Sequence, residues 1–190
     1  QGANLYSADL TGADLTGAHL NMVDFTNAKL DSTTRLEDKL RVVWSILNEP
    51  LEKRDLAGID LSNTDLYEAN LAGANLSGAD LSSANLEGAQ LNGANLTHAK
   101  LQEAVLKWAD LSGADLTGAD LFLTNLTLIN LHEANLENAN LTDADLSNAR
   151  LIDADLSGAI LTGANLTGAD LSGAILTGAI LPEGWPTPTP

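Results

Sequence analysis

The chain has 190 residues, of which 44% are hydrophobic but only 4% aromatic, with a single Met, a composition that argues against a conventional packed globule. It has no Cys, which excludes disulfides and thiolate metal sites. A formal net charge of −17 would repel nucleic-acid phosphates, so direct binding to DNA or RNA is unfavourable.

A five-residue repeat dominates the chain. Leucine, replaced once by Phe25, recurs at every fifth position in about six units from Leu5 to Leu30 and about 26 units from Leu56 to Leu181. The unit reads Ala, Asp or Asn, Leu, and then two small or polar residues. This period matches neither a helix at 3.6 nor a simple strand at 2, and self-similarity of this kind indicates a solenoid.

The unit resembles the signature of the pentapeptide repeat family, A(D/N)LXX. The resemblance implies an all-β solenoid, a right-handed quadrilateral β-helix in which four repeats make a coil of about 20 residues, here about eight coils. Leu and Ala are expected to point inward, and Asp/Asn and the last two residues outward. We expect N-terminal coils in 1–30, a helical insertion in 31–53, the main solenoid in 54–181, and a cap with a Pro/Thr tail in 182–190.

Residues 31–53 break the repeat and shift its register by one. Apolar residues recur at helical spacing, Thr34 and Glu37 form a capping-box pattern, and Pro50 supplies a stop, which predicts one helix over about 35–48. A similar insertion is found in some cyanobacterial members of the family. Either the apolar stripe packs against the solenoid, or the helix docks a partner through four residues: Arg35, Lys39, Arg41 and Trp44.

Outward departures from the repeat mark a second candidate surface in the main solenoid. A 20-residue coil places Trp108 beside Leu128, with Phe122 and Leu123 on the neighbouring corner, as an exposed apolar patch. The same spacing predicts a weak ion pair between Glu87 and Lys107. The patch is either a set of scattered surface residues or a contact for a partner or a second copy of the chain.

The C-terminal segment 182–190 places Trp185 where it can cover the last coil, before an extended Pro/Thr tail. End-to-end or side-by-side self-association is a further expectation, because solenoid ends expose unpaired strand edges. No membrane span or signal peptide is visible. Because the chain starts at Gln1, localisation stays open between the cytoplasm and, if a signal was removed, the periplasm or thylakoid lumen.

Residues with catalytic chemistry do not converge in the sequence. The three histidines, His19, His98 and His132, are not a coil period apart, so no catalytic residues, metal site or cofactor are predicted. We expect a noncatalytic protein–protein interaction scaffold with an unidentified protein partner. The alternative comes from the family, some of whose members mimic DNA and bind DNA gyrase. The acidic surface fits that alternative, but no gyrase-specific motif is present.

Overall fold

The structure, a computed structural model, describes residues 2–49 and 54–185. From residue 55 to residue 180, outward residues pair in parallel bridges with the residue twenty positions on, beginning with Asp55 and Asn75 and ending with Ile160 and Ile180. The pairing is one residue long at each step, and every coil of twenty residues contains four such steps. The predicted 20-residue coil is therefore confirmed.

Each repeat ends in a tight turn that makes a corner of the coil. In a typical unit the N–H of Ala79 donates to the carbonyl of Leu76, at 3.0 Å, and the second turn residue, Gly78, has φ of 63°. A positive φ at this position is the mark of a type II turn and favours glycine, since it has no Cβ to clash. Glycine is therefore frequent at the end of the repeat, although polar residues such as Ser83 and Glu103 adopt the same positive φ there.

Leucine and alanine fill the interior, as the repeat predicts. Leu81 and Ala84 are fully buried, and so is Phe25, which replaces a central Leu. Each leucine fully buried in this way contributes about 2 kcal/mol relative to exposure. A stack of identical small repeats thus forms a continuous core without aromatic residues.

Asp and Asn at the outward position hold the coils in register. Asp80 Oδ1 accepts the N–H of Ser82 at 3.1 Å, a local turn that many repeats share. The amide of Asn85 donates to Asp65 in the preceding coil at 2.8 Å. The Asp/Asn requirement is therefore structural, and a column that alternates Asp with Asn also separates like charges.

Only one helix is present in the described ranges, α1, Asp38–Asn48. The predicted start near 35 and the capping box are wrong, because the N-cap residue is Glu37 and no side chain caps the helix. Thr34 instead belongs to the repeat: it is buried in the place of an inward Ala, and its hydroxyl donates to the Leu10 carbonyl at 3.0 Å.

The register shift precedes the helix. Asp9 pairs with Lys29, twenty residues on, whereas Asp14 pairs with Arg35, twenty-one residues on. The extra residue therefore lies between Lys29 and Arg35. Pro50, the predicted stop, lies outside the described residues.

Helix α1 packs between the N-terminal coils and the main solenoid. Leu40, Val43 and Ile46 are buried on its inner side. The amide of Asn48 donates to the Phe25 carbonyl at 3.0 Å on the N-terminal side of the helix. Across the insertion the two sets of coils still meet, since the N–H of Met22 donates to the carbonyl of Asn63 at 3.1 Å.

At the C-terminal end, the side chain of Trp185 packs against the core. The backbone N–H of Trp185 donates to the Pro182 carbonyl at 3.1 Å. The tail predicted beyond it lies outside the described residues. Over residues 2–49 and 54–185, no helix combines the length and apolarity needed to cross a bilayer.

Candidate protein interface

Three large apolar side chains break the polar surface of the main solenoid on one side. Trp108 is 56% exposed, Leu123 47% and Leu128 45%. All three occupy the second turn position, where φ is positive, with φ of 62° at Trp108. Gly88 occupies the same turn position one coil from Trp108, which shows that the corner itself does not require a large side chain.

The fold brings the predicted patch residues to one side of the coil. Trp108 and Leu128 lie at one edge of that side, since the Trp108 N–H donates to the carbonyl of the residue before Leu128, at 3.2 Å. Phe122, which is half-buried, and Leu123 form the neighbouring corner.

Sequence reasoning missed the residue in the middle, Val105. It is half-buried and pairs with Asn85 and Asn125, so it stands where the repeat has Asp or Asn. The signal was available, because an apolar residue at this outward position is rare in the repeat. We call Val105, Trp108, Phe122, Leu123 and Leu128 the apolar face.

A basic residue belongs to the same edge. The ammonium of Lys107 lies 4.0 Å from the centroid of the Trp108 ring, a cation–π contact. The predicted ion pair of Lys107 with Glu87 is absent from the salt bridges of the described residues. Lys107 therefore holds the indole in place at the surface.

The rim of the apolar face is acidic. Glu103 and Asp143 lie at the same corner as Leu123, one coil to either side of it, and Asp145 pairs with Asn125. Over residues 55–190, 18 acids against three bases give a net charge of −15. This negative charge attracts a positively charged partner surface and raises its rate of association.

The candidate residues of the insertion lie elsewhere and are engaged within the chain. Arg35 pairs with Asp14 at 3.2 Å, and both side chains are exposed. Lys39 donates to Asp60 at 2.9 Å and to the Ser62 carbonyl at 2.7 Å. Its hydrogen bonds tie the helix to the main solenoid.

Arg41 and Trp44 tie the helix to the N-terminal coils. A guanidinium N–H of Arg41 donates to the Thr34 carbonyl at 2.6 Å, and the indole N–H of Trp44 donates to the Ala28 carbonyl at 2.6 Å. Buried carbonyls need such partners, so these side chains have a structural role whether or not they also meet a partner.

The described residues do not bring together three or more His, Cys, Asp or Glu side chains in a group that could hold a metal ion. His132 Nδ1 lies 3.0 Å from the Ile152 carbonyl in the next coil, and His98 lies over Gly118. Both imidazoles are thus engaged with the neighbouring coil.

Comparison with known proteins agrees with this geometry. The family described as Pentapeptide repeats matches in eight copies over 1–34, 55–88, 89–127, 129–168 and 144–181. A comparison with curated protein sequences found no match.

Solved structures of pentapeptide repeat proteins are similar in sequence. HetL, involved in heterocyst differentiation regulation in the cyanobacterium Nostoc sp. strain PCC 7120, is 32% identical over 97% of this chain and 91% of its own, with a TM-score of 0.29. Rfr23 from the cyanobacterium Cyanothece 51142 is 32% identical over 67% and 91%, with a TM-score of 0.33. A trypsin-treated form of QnrB1, a plasmid-mediated fluoroquinolone resistance protein, is 25% identical over 67% and 68%, with a TM-score of 0.26. By its repeats and its identity to HetL, the chain belongs to the pentapeptide repeat family, whose fold is a right-handed quadrilateral β-helix.

Proposed function

We propose that this chain is a noncatalytic interaction protein that binds a protein partner through the apolar face. The observation that carries the proposal is that Trp108, Leu123 and Leu128 occupy left-handed turn positions where glycine would fit better. An L-residue in this conformation costs about 1–2 kcal/mol, and a large apolar side chain in water adds nothing to offset that cost. Polar residues such as Glu103 and Asp143 also occupy turns of this kind, but Trp108, Leu123 and Leu128 in addition expose a large apolar side chain to water, and binding offers a reason for that which folding does not.

The composition of the apolar face is that of an interface core. A tryptophan flanked by leucines, with Val105 between the two corners, gives the kind of anchor that dominates binding energy in many complexes. The neighbouring turns of the same column carry a small or polar residue, Gly88 before Trp108 and Asn148 after Leu128. The apolar side chains are therefore confined to adjacent coils.

Charge sets the kind of partner. The acidic rim formed by Glu103, Asp143 and Asp145 favours a partner surface with an apolar centre and basic residues around it. Such complementarity raises the rate of association and discriminates against acidic proteins.

The alternative is that the acidic solenoid mimics DNA and binds a type II topoisomerase. The net charge of −15 over residues 55–190 favours it. Against it, outward Asp residues are interspersed with uncharged ones along each side, with Asp60 and Asp80 directly stacked, and Lys100 and Arg150 interrupt two of the columns. Duplex DNA has no such gaps in its charge.

Site-directed photo-crosslinking tests the proposal. A crosslinking amino acid at Leu123 is expected to capture one partner in cells. The same amino acid at Glu137, exposed at a corner three turns further along the chain, serves as the control and should not capture it.

The captured protein is then purified, and its affinity is measured for the intact chain and for the Trp108→Ser/Leu128→Ser variant. Loss of about a hundredfold in affinity supports the proposal. Equal capture from both positions, or an affinity that the double variant retains, contradicts it. Capture of a topoisomerase with undiminished affinity for the double variant would instead favour DNA mimicry.

A further inference from the structure

A cleft opens where the N-terminal coils meet the main solenoid, beside the C-terminal end of α1. Its volume is about 690 Å³. It exists because α1 separates the coils on one side, while they stay in contact through the hydrogen bond from Met22 to Asn63. The residues that matter for its chemistry are two tyrosines, two apolar residues and four acids: Tyr6, Tyr67, Ile46, Leu47, Asp24, Glu49, Asp65 and Glu68.

The charge of the cleft is of one sign. It has four carboxylates, and neither Lys nor Arg is among the described residues that line it. Burial raises the pKa of Asp65, and the nearby Asp24 carboxylate raises it further, against hydrogen bonds that lower it. The two hydrogen bonds of Asp65, from the Tyr67 N–H and the Asn85 amide, go to the same oxygen, Oδ1.

Aromatic and apolar groups distinguish this cleft from a simple acidic patch. Tyr6 and Tyr67 are both about half exposed, and their ring faces can attract a cation. Ile46 and Leu47 supply apolar wall on the helix side, against which the methylene stem of a long side chain can pack. The carboxylates do not form a group that could hold a metal ion within the described residues, which points to an organic cation.

The cleft and the apolar face share one edge of the solenoid. Tyr67, Glu87 and Lys107 occupy the first turn position of successive coils at that edge. At about 4.8 Å per coil, the turn of Tyr67 lies about 10 Å from that of Trp108, which an extended segment of about three residues spans.

We propose that the cleft receives one basic side chain, Lys or Arg, of the partner that binds the apolar face. This inference rests on the proposed function and names the chemistry of its partner. The recognised segment carries a basic residue about three positions from an apolar one, so that the cation lies between the tyrosines and Asp65 while the apolar residue reaches Trp108.

The cleft is tested apart from any partner by NMR titration of the full chain. N-acetyl-arginine amide is the probe, and N-acetyl-citrulline amide, its neutral isostere, is the control. We expect saturable shifts of the Tyr6 and Tyr67 ring signals with a dissociation constant of about 1 mM for arginine only.

Two variants locate the binding. Asp65→Asn keeps the turn acceptor, as Asn85 does in the next coil, and should weaken binding about fivefold. Asp115→Asn removes the same charge on another side of the solenoid and should not. Equal responses to arginine and citrulline, equal effects of the two variants, or no saturable shift would each overturn the proposal.

The arginine titration and the partner capture can fail separately, so the two proposals are distinguishable. Arginine binding at the cleft without partner capture at Leu123 would leave the cation site standing and contradict the proposed function. Capture at Leu123 without arginine binding would contradict only the proposal that the cleft receives a basic side chain.

Discussion

Asn140→Asp would place two carboxylates on top of each other in one outward column. The Asn140 amide now donates to Asp120 at 2.9 Å. With the charges about 4–5 Å apart, the repulsion is about 1 kcal/mol in water and about 3–4 kcal/mol at an effective dielectric of 20. The side chains are half-buried, so we expect about 1–2 kcal/mol, plus about 1 kcal/mol for the lost hydrogen bond.

Asn130→Asp is the matched control. It loses the same kind of hydrogen bond, to Asp110 at 2.8 Å, but Arg150 follows in the next coil of that column. We therefore expect a loss of about 1 kcal/mol, since the arginine offsets the added charge.

Urea unfolding followed by circular dichroism measures both costs at pH 7, in low salt and in about 0.5 M NaCl. The excess cost of Asn140→Asp should shrink in salt. It should also vanish near pH 3, because the repulsion raises the pKa of the pair and protonation removes it. Equal costs for the two variants, or an excess that neither salt nor acid reduces, would refute charge alternation as the reason for the Asp/Asn pattern.

Three further predictions concern the insertion and the apolar face. Hydrogen bonds from Ser62 and Lys39 lower the pKa of Asp60 to about 2, so its contribution to stability is present above pH 4 and is lost towards pH 2. The difference in unfolding midpoint between wild type and Asp60→Asn should therefore narrow over that range, and a constant difference would count against the pairing. Trp44→Phe should cost about 1–3 kcal/mol in urea unfolding by leaving a carbonyl without its donor, and no change would show that water replaces the indole. Trp108→Gly relieves backbone strain but removes the contact with Lys107, so the free energy of unfolding should change by less than about 2 kcal/mol in either direction, against a loss of about 2–5 kcal/mol for Leu106→Ala in the core. A larger loss for Trp108→Gly than for Leu106→Ala would mean that Trp108 is structural.

Much of the fold follows from the sequence because one short rule is repeated. A leucine every fifth residue can be buried on all sides only if the chain turns after each repeat. The 20-residue coil then gives the neighbours of Trp108 by arithmetic. The same arithmetic applies to Val105, which stands in the outward Asp/Asn column rather than at a turn.

What could not be predicted depends on contacts across the insertion. Thr34 and Glu37 match a capping box in the local sequence. In the fold, Arg35 pairs with Asp14, and the side chain of Thr34 points into the core and donates to the Leu10 carbonyl. The cleft could not be predicted from the sequence for a similar reason. Asp24 and Asp65 are neighbours in space, yet nothing local indicates which coils meet on either side of α1.

The most direct test of binding through the apolar face is the affinity of the crosslinked partner for two double variants, each of which replaces two exposed apolar residues of one column by Ser. Trp108→Ser/Leu128→Ser removes two of the five residues of the apolar face, and Ile160→Ser/Ile180→Ser removes an exposed apolar pair on another side. If the partner binds through the apolar face, the first variant loses about a hundredfold in affinity and the second loses none. Equal losses, or none in either, would contradict binding through the apolar face.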